Sequence, residues 1–353
     1  GIEVFKGPAA VRYGPNTIGG AINLRTRDIP RESDGGLDLA IGQRGYGKAH
    51  GHWGRSWKHF GMLVEGVRIQ SNGFKELDGG GDTGFGKNEG MLKLRANVDP
   101  AARVYHQFDA KAGISTERSF ETYLGLTDAD FEANPYRRYV GSQKGLMRWW
   151  RSQAQLSYLL AYGDLVEFQT TAYRHDFSRA WTKFNTFRGG PSIEDVMADS
   201  GGQSAIYLGI LRGEEDSTSA DEALMIGTNA RRYVSQGIQN TLRISPRTKY
   251  VDQTIEFGAR FHADTIRRDH TQDGYLMVSS TLVPEGTDEE QTTLNRGAAY
   301  AGALHLHDEI VIVDRFTVSP GARVELIRTD FTDDLNGSKS SAFNAVFVPG
   351  VGA

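Results

Sequence analysis

Residues 1–27 read GIEVFKGPAAVRYGPNTIGGAINLRTR, and the reading of every later segment depends on them. Ile2 to Phe5 and Ala21 to Leu24 are short apolar runs of strand character. Between them Gly7, Gly14, Gly19 and Gly20, with Pro8 and Pro15, impose tight turns. Taken alone, the stretch predicts a small looped β unit. What it belongs to depends on whether the following residues have the pattern of helices or of strands.

Immediately outward lies Asp28-Ile29-Pro30-Arg31-Glu32-Ser33-Asp34-Gly35-Gly36, polar and rich in breakers, which reads as a linker. Beyond it the dominant signal is alternation with period two, which places successive side chains on opposite faces of a strand. In Val251 to Asp264, residues Val251, Ile255, Phe257, Ala259, Phe261 and Ala263 share one face, and Asp252, Thr254, Glu256, Arg260, His262 and Asp264 the other. Only Gln253 interrupts the apolar row. Arg315 to Leu326 repeats the pattern, and weaker versions recur at Leu92 to Val98, Val104 to Ala110, Val166 to Ala172, Val234 to Ile244 and Tyr300 to Leu306.

These signals predict strands over 36–44, 47–57, 60–70, 89–98, 102–112, 146–160, 164–178, 231–245, 251–268, 297–313 and 315–330, with another starting near 343. The connections differ in length. Those near Lys58-His59, Asp99 to Ala101, Gly163, Pro246 to Tyr250 and Asp314 are tight, whereas Ser71 to Asn88, Gly113 to Gly145, Trp181 to Ala230 and Asp269 to Arg296 are long. Outer-membrane barrels have short turns on one side and long loops on the other. Half-buried strands of a soluble sandwich or solenoid also alternate, but no fixed-period repeat is visible. Thr127 to Asp130, Ser192 to Asp195 and Ser219 to Glu222 have capping-box spacing, which predicts short helix starts, the first stopped at Asn134-Pro135. Acidic loops produce the same spacing by chance.

The opening stretch is also specific in its wording. Ile2-Glu3-Val4-Phe5-Lys6-Gly7-Pro8, Arg12-Tyr13-Gly14 and Ile18-Gly19-Gly20-Ala21-Ile22-Asn23-Leu24 resemble the end of the plug domain of TonB-dependent outer-membrane transporters. Ala10 to Pro15, and the loop from Glu121 to Phe131 continuing to Asn134-Pro135-Tyr136-Arg137-Arg138-Tyr139, resemble the branch that includes ferric dicitrate transporters. The resemblance implies an all-β fold: a transmembrane antiparallel β-barrel, about 22-stranded when complete, around an internal plug. Residues 1–30 would then be the C-terminal part of the plug and 31–353 the N-terminal half of the barrel, here about 12 strands. The chain is accordingly expected to be a fragment, with the TonB box, early plug and last strands lying outside it.

Composition agrees with this expectation without requiring it. No apolar run approaches the roughly 18 residues of a membrane-spanning helix, but barrel strands need none. The 43 glycines suit a chain with many turns. Absence of cysteine excludes a disulfide framework and thiolate metal sites, and a net charge of −4 gives no basis for nucleic-acid binding. No Gly-x-Ser-x-Gly, Gly-x-x-x-x-Gly-Lys or His-Glu-x-x-His occurs, so the common hydrolase and nucleotide signatures are absent. Gly79 to Gly84 lies between strands and reads as a loop; His305 and His307 share a strand face without a third ligand.

By the resemblance, the protein is no enzyme and holds no cofactor, iron entering only as part of the transported chelate. Its expected location is the Gram-negative outer membrane, and its expected partners are the TonB complex, outer-membrane lipid and a ferric siderophore or ferric citrate. Uptake of cobalamin or a sugar by the same architecture, a passive channel or adhesin barrel, and a soluble β-sheet binding protein are the alternatives. The implied ligand-binding candidates are Arg12, Tyr13 and Asn16 in the plug loop, Arg137 and Arg138 in the long loop, and Arg260 on the polar face of its strand. Guanidinium groups suit an anionic chelate because they donate paired hydrogen bonds to carboxylates.

Overall fold

The computed structural model describes residues 1–6, 13–14, 20–198, 201–313 and 315–352. In order, the strands are β1 (Ile2–Phe5), β2 (Ala21–Leu24), β3 (Asp34–Ile41), β4 (Gly47–Ser56), β5 (Phe60–Ser71), β6 (Glu76–Leu77), β7 (Phe85–Asn97), β8 (Val104–Ser119) and β9 (Arg137–Arg138). They continue with β10 (Leu146–Tyr162), β11 (Val166–Phe187), β12 (Leu224–Ile244), β13 (Val251–Val278), β14 (Thr281–Pro284), β15 (Glu290–Ile312), β16 (Phe316–Asp333) and β17 (Lys339–Gly352). Three helices lie between them, α1 (Asp128–Ala133), α2 (Ile193–Ala198) and α3 (Gly202–Arg212).

β1 and β2 form their own antiparallel pair. The long strands join into one antiparallel sheet in the order β3-β4-β5-β7-β8-β10-β11-β12-β13-β15-β16-β17, with β14 added beside β13. Each strand therefore pairs with its sequence neighbours, the arrangement expected of an up-and-down barrel wall. All twelve expected strands are present. Their ends at the short turns agree with the alternation to within a few residues, but their other ends run on: β11 to Phe187, β12 back to Leu224, β13 to Val278 and β15 back to Glu290. The expected long loop Asp269 to Arg296 is therefore mostly strand, and Trp181 to Ala230 shrinks to residues 188–223. Alternation disappears in these extensions, while the hydrogen-bond ladder continues from neighbour to neighbour.

The two faces of the sheet differ. Leu160, Phe168, Leu242, Phe257 and Leu306 are direct cross-strand neighbours on one face. Glu167, Arg243, Glu256 and His307 are neighbours on the other. The apolar face is open: Leu156 is 65% exposed, Phe257 46%, Phe261 54% and Leu304 53%. Glu256 is only 5% exposed, so Glu256 and Phe257 occupy the faces that alternation assigns them. The polar face carries β1, β2 and the linker, and is called inner below.

Buried apolar packing is concentrated in the loops. Tyr139, Val140, Phe187, Val196, Tyr207, Leu208, Ile210, Leu211, Met277 and Leu282 join one core that covers the extended ends of β11 to β13. All three capping-box spacings are used: Thr127 caps α1, which ends at Asn134, Ser192 Oγ accepts from Asp195 N, and Ser219 and Glu222 form a capping box on a 3-10 turn. α3 was not legible, since Gly201 at its start offers no side-chain cap. Its one local signal is Gly213 after Arg212, in the left-handed region at φ 74°.

Candidate functional site

The inner face is built from below by the linker. Glu3 on β1 accepts hydrogen bonds from Asn23 (2.7 Å) and Arg25 (3.0 Å), and Arg25 also pairs with Asp28. Lys93 Nζ donates to the Arg27 carbonyl at 2.5 Å, and Ser56 Oγ donates to that of Pro30 at 2.8 Å. Between β2 and the wall is a polar cavity of about 700 Å³ lined by Glu3, Asn23, Arg25, Lys93, Lys111 and Arg243, among others. At the same level Arg243 bridges Glu167 (3.3 Å) and Glu256 (3.1 Å), and His305 approaches Glu256 at 3.3 Å. The carboxylates named here are all paired, Glu3 with Arg25 and both Glu167 and Glu256 with Arg243.

One level higher, Arg260 donates to Tyr173 Oη at 2.8 and 3.1 Å, and Tyr173 Oη meets His262 Nδ1 at 2.6 Å. His262 Nε2 in turn contacts Asp264 at 2.8 Å. Gly237 makes this possible, because a Cβ there would lie 2.7 Å from Tyr173 Oη and 2.5 Å from the Phe261 carbonyl. Arg260 is thus on the inner face, as alternation assigned it, but it leans on a tyrosine and a histidine and not on Glu256.

Higher still, below the loop core, the register brings Arg179, Arg231 and Arg268 side by side on β11, β12 and β13. Trp149 flanks the row on β10 and Asn295 on β15. Arg231 Nε donates to His270 Nε2 at 3.3 Å. The Nε atoms of Arg179 and Arg268 are sealed from solvent with no hydrogen-bond partner among the described residues. Among the described residues no carboxylate lies within ion-pair distance of any of the three. Like charges directly opposite one another are destabilising, and a buried donor without a partner costs free energy. Such a row is suited to an anion, and most of all to one with several carboxylate oxygens, each able to accept a fork of guanidinium hydrogens.

Arg12 and Asn16 lie outside the described residues. Tyr13 is partly exposed, its ring 4.5 Å from that of Phe5. Arg137 is engaged by Asp78 (2.9 Å) and Asp130 (2.9 Å). Arg138 is 4% exposed and spends its fork on Ser142 Oγ and on the carbonyls of Phe120 and Ser142. Both therefore hold the loop together in this structure. Asp130 is the hub: it accepts from Tyr139, from Arg212 at 2.6 and 2.9 Å and from Arg137. Burial pushes the Asp130 carboxyl up, but the hydrogen bonds from Tyr139 and Arg212 and the charges of Arg212 and Arg137 outweigh it and hold the group below its ordinary range. Among the described residues no cluster of three metal-ligating side chains forms.

Sequence reasoning missed the three-arginine row. Arg231-Arg232 and Arg267-Arg268 are visible as dipeptides, and within a strand such a pair must place one arginine on each face. What the sequence did not show is that the two dipeptides align.

This architecture recurs among solved structures. The ferric citrate transporter FecA in its unliganded form superposes with a TM-score of 0.70 at 18% identity, over 99% of this chain and 46% of that one. The siderophore receptor PiuA from Acinetobacter baumannii gives 0.74 at 11% identity, over 99% and 50%. The chain shares their fold. The ferric-catecholate import receptor Fiu from E. coli K12 gives 0.65 at 11%, over 99% of this chain and 55% of the receptor. This chain thus spans about half the length of the structures it matches. No family model matches, and no curated protein sequence does.

Proposed function

We propose that this chain is part of a TonB-dependent outer-membrane transporter that takes up an anionic ferric chelate, with ferric dicitrate the cargo we favour. Residues 1–30 are the end of the plug in this reading and 31–353 the first half of the barrel. The exposed apolar belt faces lipid, and the loop core lies on the outside of the cell. The observation that carries the proposal is the Arg179, Arg231 and Arg268 row, which lacks a carboxylate partner among the described residues. Arg260, Tyr13, Arg12 and Asn16 are its proposed companions lower in the lumen and on the plug. The plug-loop wording Arg12-Tyr13-Gly14-Pro15 supports the dicitrate branch.

The test is a titration of the full-length protein with ferric citrate, and separately with a neutral ferric chelate, read by quenching of intrinsic fluorescence. Arg231→Ala with Arg268→Ala should weaken ferric citrate binding roughly 10- to 100-fold, equivalent to about 1.5 to 3 kcal/mol for lost hydrogen bonds to a charged group. Equal affinity of parent and double variant for ferric citrate would reject the row as the site. A parent that ignores ferric citrate but takes up a neutral chelate or cobalamin would reject the cargo.

A further inference from the structure

The arginines adjacent to the inner row in sequence form a second row on the outer face. Arg232, Arg267 and Arg296 are direct cross-strand neighbours on β12, β13 and β15, and all three are exposed. They stand on the long-loop side of the apolar belt. The path down β15 from Arg296 passes Ala298 and Tyr300 before reaching the apolar Leu304 and Leu306 on the same face.

Two other arginines of this face are neutralised locally. Arg174 forks onto Asp176 at 2.8 and 2.9 Å, and Arg328 onto Asp330 at 3.0 and 3.1 Å, each using an acid two residues further along the same strand face. In the row only Arg267 has an acid so placed, Asp269. Val234 stands two residues after Arg232 and Ala298 two after Arg296. Arg232 has no ion pair or side-chain hydrogen bond among the described residues, although Asp176 lies near enough to feel its charge. Arg267 reaches Asp269 only at 3.9 Å and Arg296 reaches Asp334 only at 3.5 Å, longer than charge-assisted hydrogen bonds. Between the row and Tyr300 runs a trough of about 440 Å³ floored by Gly297 and Ala298.

We propose that Arg232, Arg267 and Arg296 dock the phosphate of an anionic membrane lipid in the leaflet on the long-loop side. This rests on the reading of the apolar belt as lipid-facing. The occupant follows from the two chemistries that meet there: guanidinium groups with unused donors lie at the upper border of an apolar wall, so the matching molecule has a phosphate head and acyl chains. A soluble anion would gain the first and nothing from the second. Lipid phosphate also relieves the mutual repulsion of three adjacent like charges.

The experiment uses the full-length protein in detergent micelles, titrated with phosphatidic acid or phosphatidylcholine and followed by native mass spectrometry. Replacing the row by Arg232→Gln, Arg267→Gln and Arg296→Gln should weaken phosphatidic acid retention roughly 10- to 100-fold and leave phosphatidylcholine retention unchanged. The corresponding triple Lys variant should keep most of it, and unchanged ferric citrate binding by the Gln variant would show that it is folded. Equal retention of phosphatidic acid by parent and Gln variant, both inserted in micelles, overturns the lipid site while leaving the transporter reading intact. Displacement of the lipid by inorganic phosphate at matched concentration overturns the lipid assignment in favour of a free-anion site. A protein that stays monodisperse without detergent and enters no micelle overturns the membrane reading, and the lipid site with it.

Discussion

Arg231 and Arg232 are consecutive, yet they stand on opposite faces of β12: Arg231 donates to His270 on the inner face, and Arg232 lies on the outer face opposite Arg267. The dipeptide Arg267-Arg268 on β13 repeats the division in register. Two rows of like charge are thereby set back to back, with different surroundings.

The first prediction follows from that division. Arg231→Ala should reduce ferric citrate binding by the full-length protein, whereas Arg232→Ala should leave it within about twofold, since the strand period of two keeps the outer side chain out of the lumen. Raising the salt concentration should weaken the parent partly, in the same direction as Arg231→Ala, because screening acts on the charge that the variant removes. Calorimetric titration of both single variants at low and high salt provides the measurement.

The loop core should be weakened by removing its hub. Asp130 is 14% exposed and serves Tyr139, Arg137 and Arg212 at once, so Asp130→Asn should destabilise the loops locally by about 2 kcal/mol. Amide exchange across 127–145 and 202–212 should accelerate while that of the strand rows at the apolar belt does not. Unchanged exchange in these segments would refute the role of Asp130 as hub.

Acid should act on the same contact. A carboxyl depressed in the folded state contributes stability that is fully present above its unfolded value, about 3.9, and lost as pH falls through the folded value. Asp130 therefore predicts loop loosening as pH drops below the ordinary carboxylate range. Asp78 works in the opposite sense, because burial raises it more than Arg137 lowers it. Asp130→Asn should remove acid-dependent loosening of the loops, and Asp78→Asn should not.

Gly237→Ala should be costly although the new group is one methyl. Its Cβ would collide with the Phe261 carbonyl at 2.5 Å, where only backbone can move, and with Tyr173 Oη at 2.7 Å. We expect about 1 to 3 kcal/mol of destabilisation and separation of Tyr173 from His262, measurable as a lowered unfolding midpoint in detergent.

Leu304→Arg, in the middle of the apolar belt, should cost about 2 to 4 kcal/mol on folding into a bilayer, as a charge at mid-depth does. Gln169→Arg, on the inner face beside the polar cavity, should cost far less. Reversible folding into lipid vesicles, compared for the two variants, tests the assignment of faces.

The number of long strands, their ends at the short turns and the apolar face of each were legible in the alternation alone. Where one face meets an apolar exterior and the other a polar interior, side chains are held to the two-residue period, as in Val251 to Asp264 with Gln253 the one exception. Beyond the belt that constraint lapses. In Thr265 to Gly274 both faces are polar enough that no alternation is imposed, and β13 continues there because β12 and β15 continue beside it. α3 likewise depends on tertiary contacts, since Tyr207, Leu208, Ile210 and Leu211 bury against Phe187 and Met277 from other elements. The same holds for the candidate site. Arginines 179, 231 and 268 become one site only because inter-strand hydrogen bonding fixes the register of three strands. A shift of one residue would turn each strand's side chains to the opposite face. Arg137 and Arg138 show the converse: their sequence fits an anion site, and only the packed loop, where Asp78, Asp130 and backbone carbonyls take up their donors, assigns them to holding the structure together.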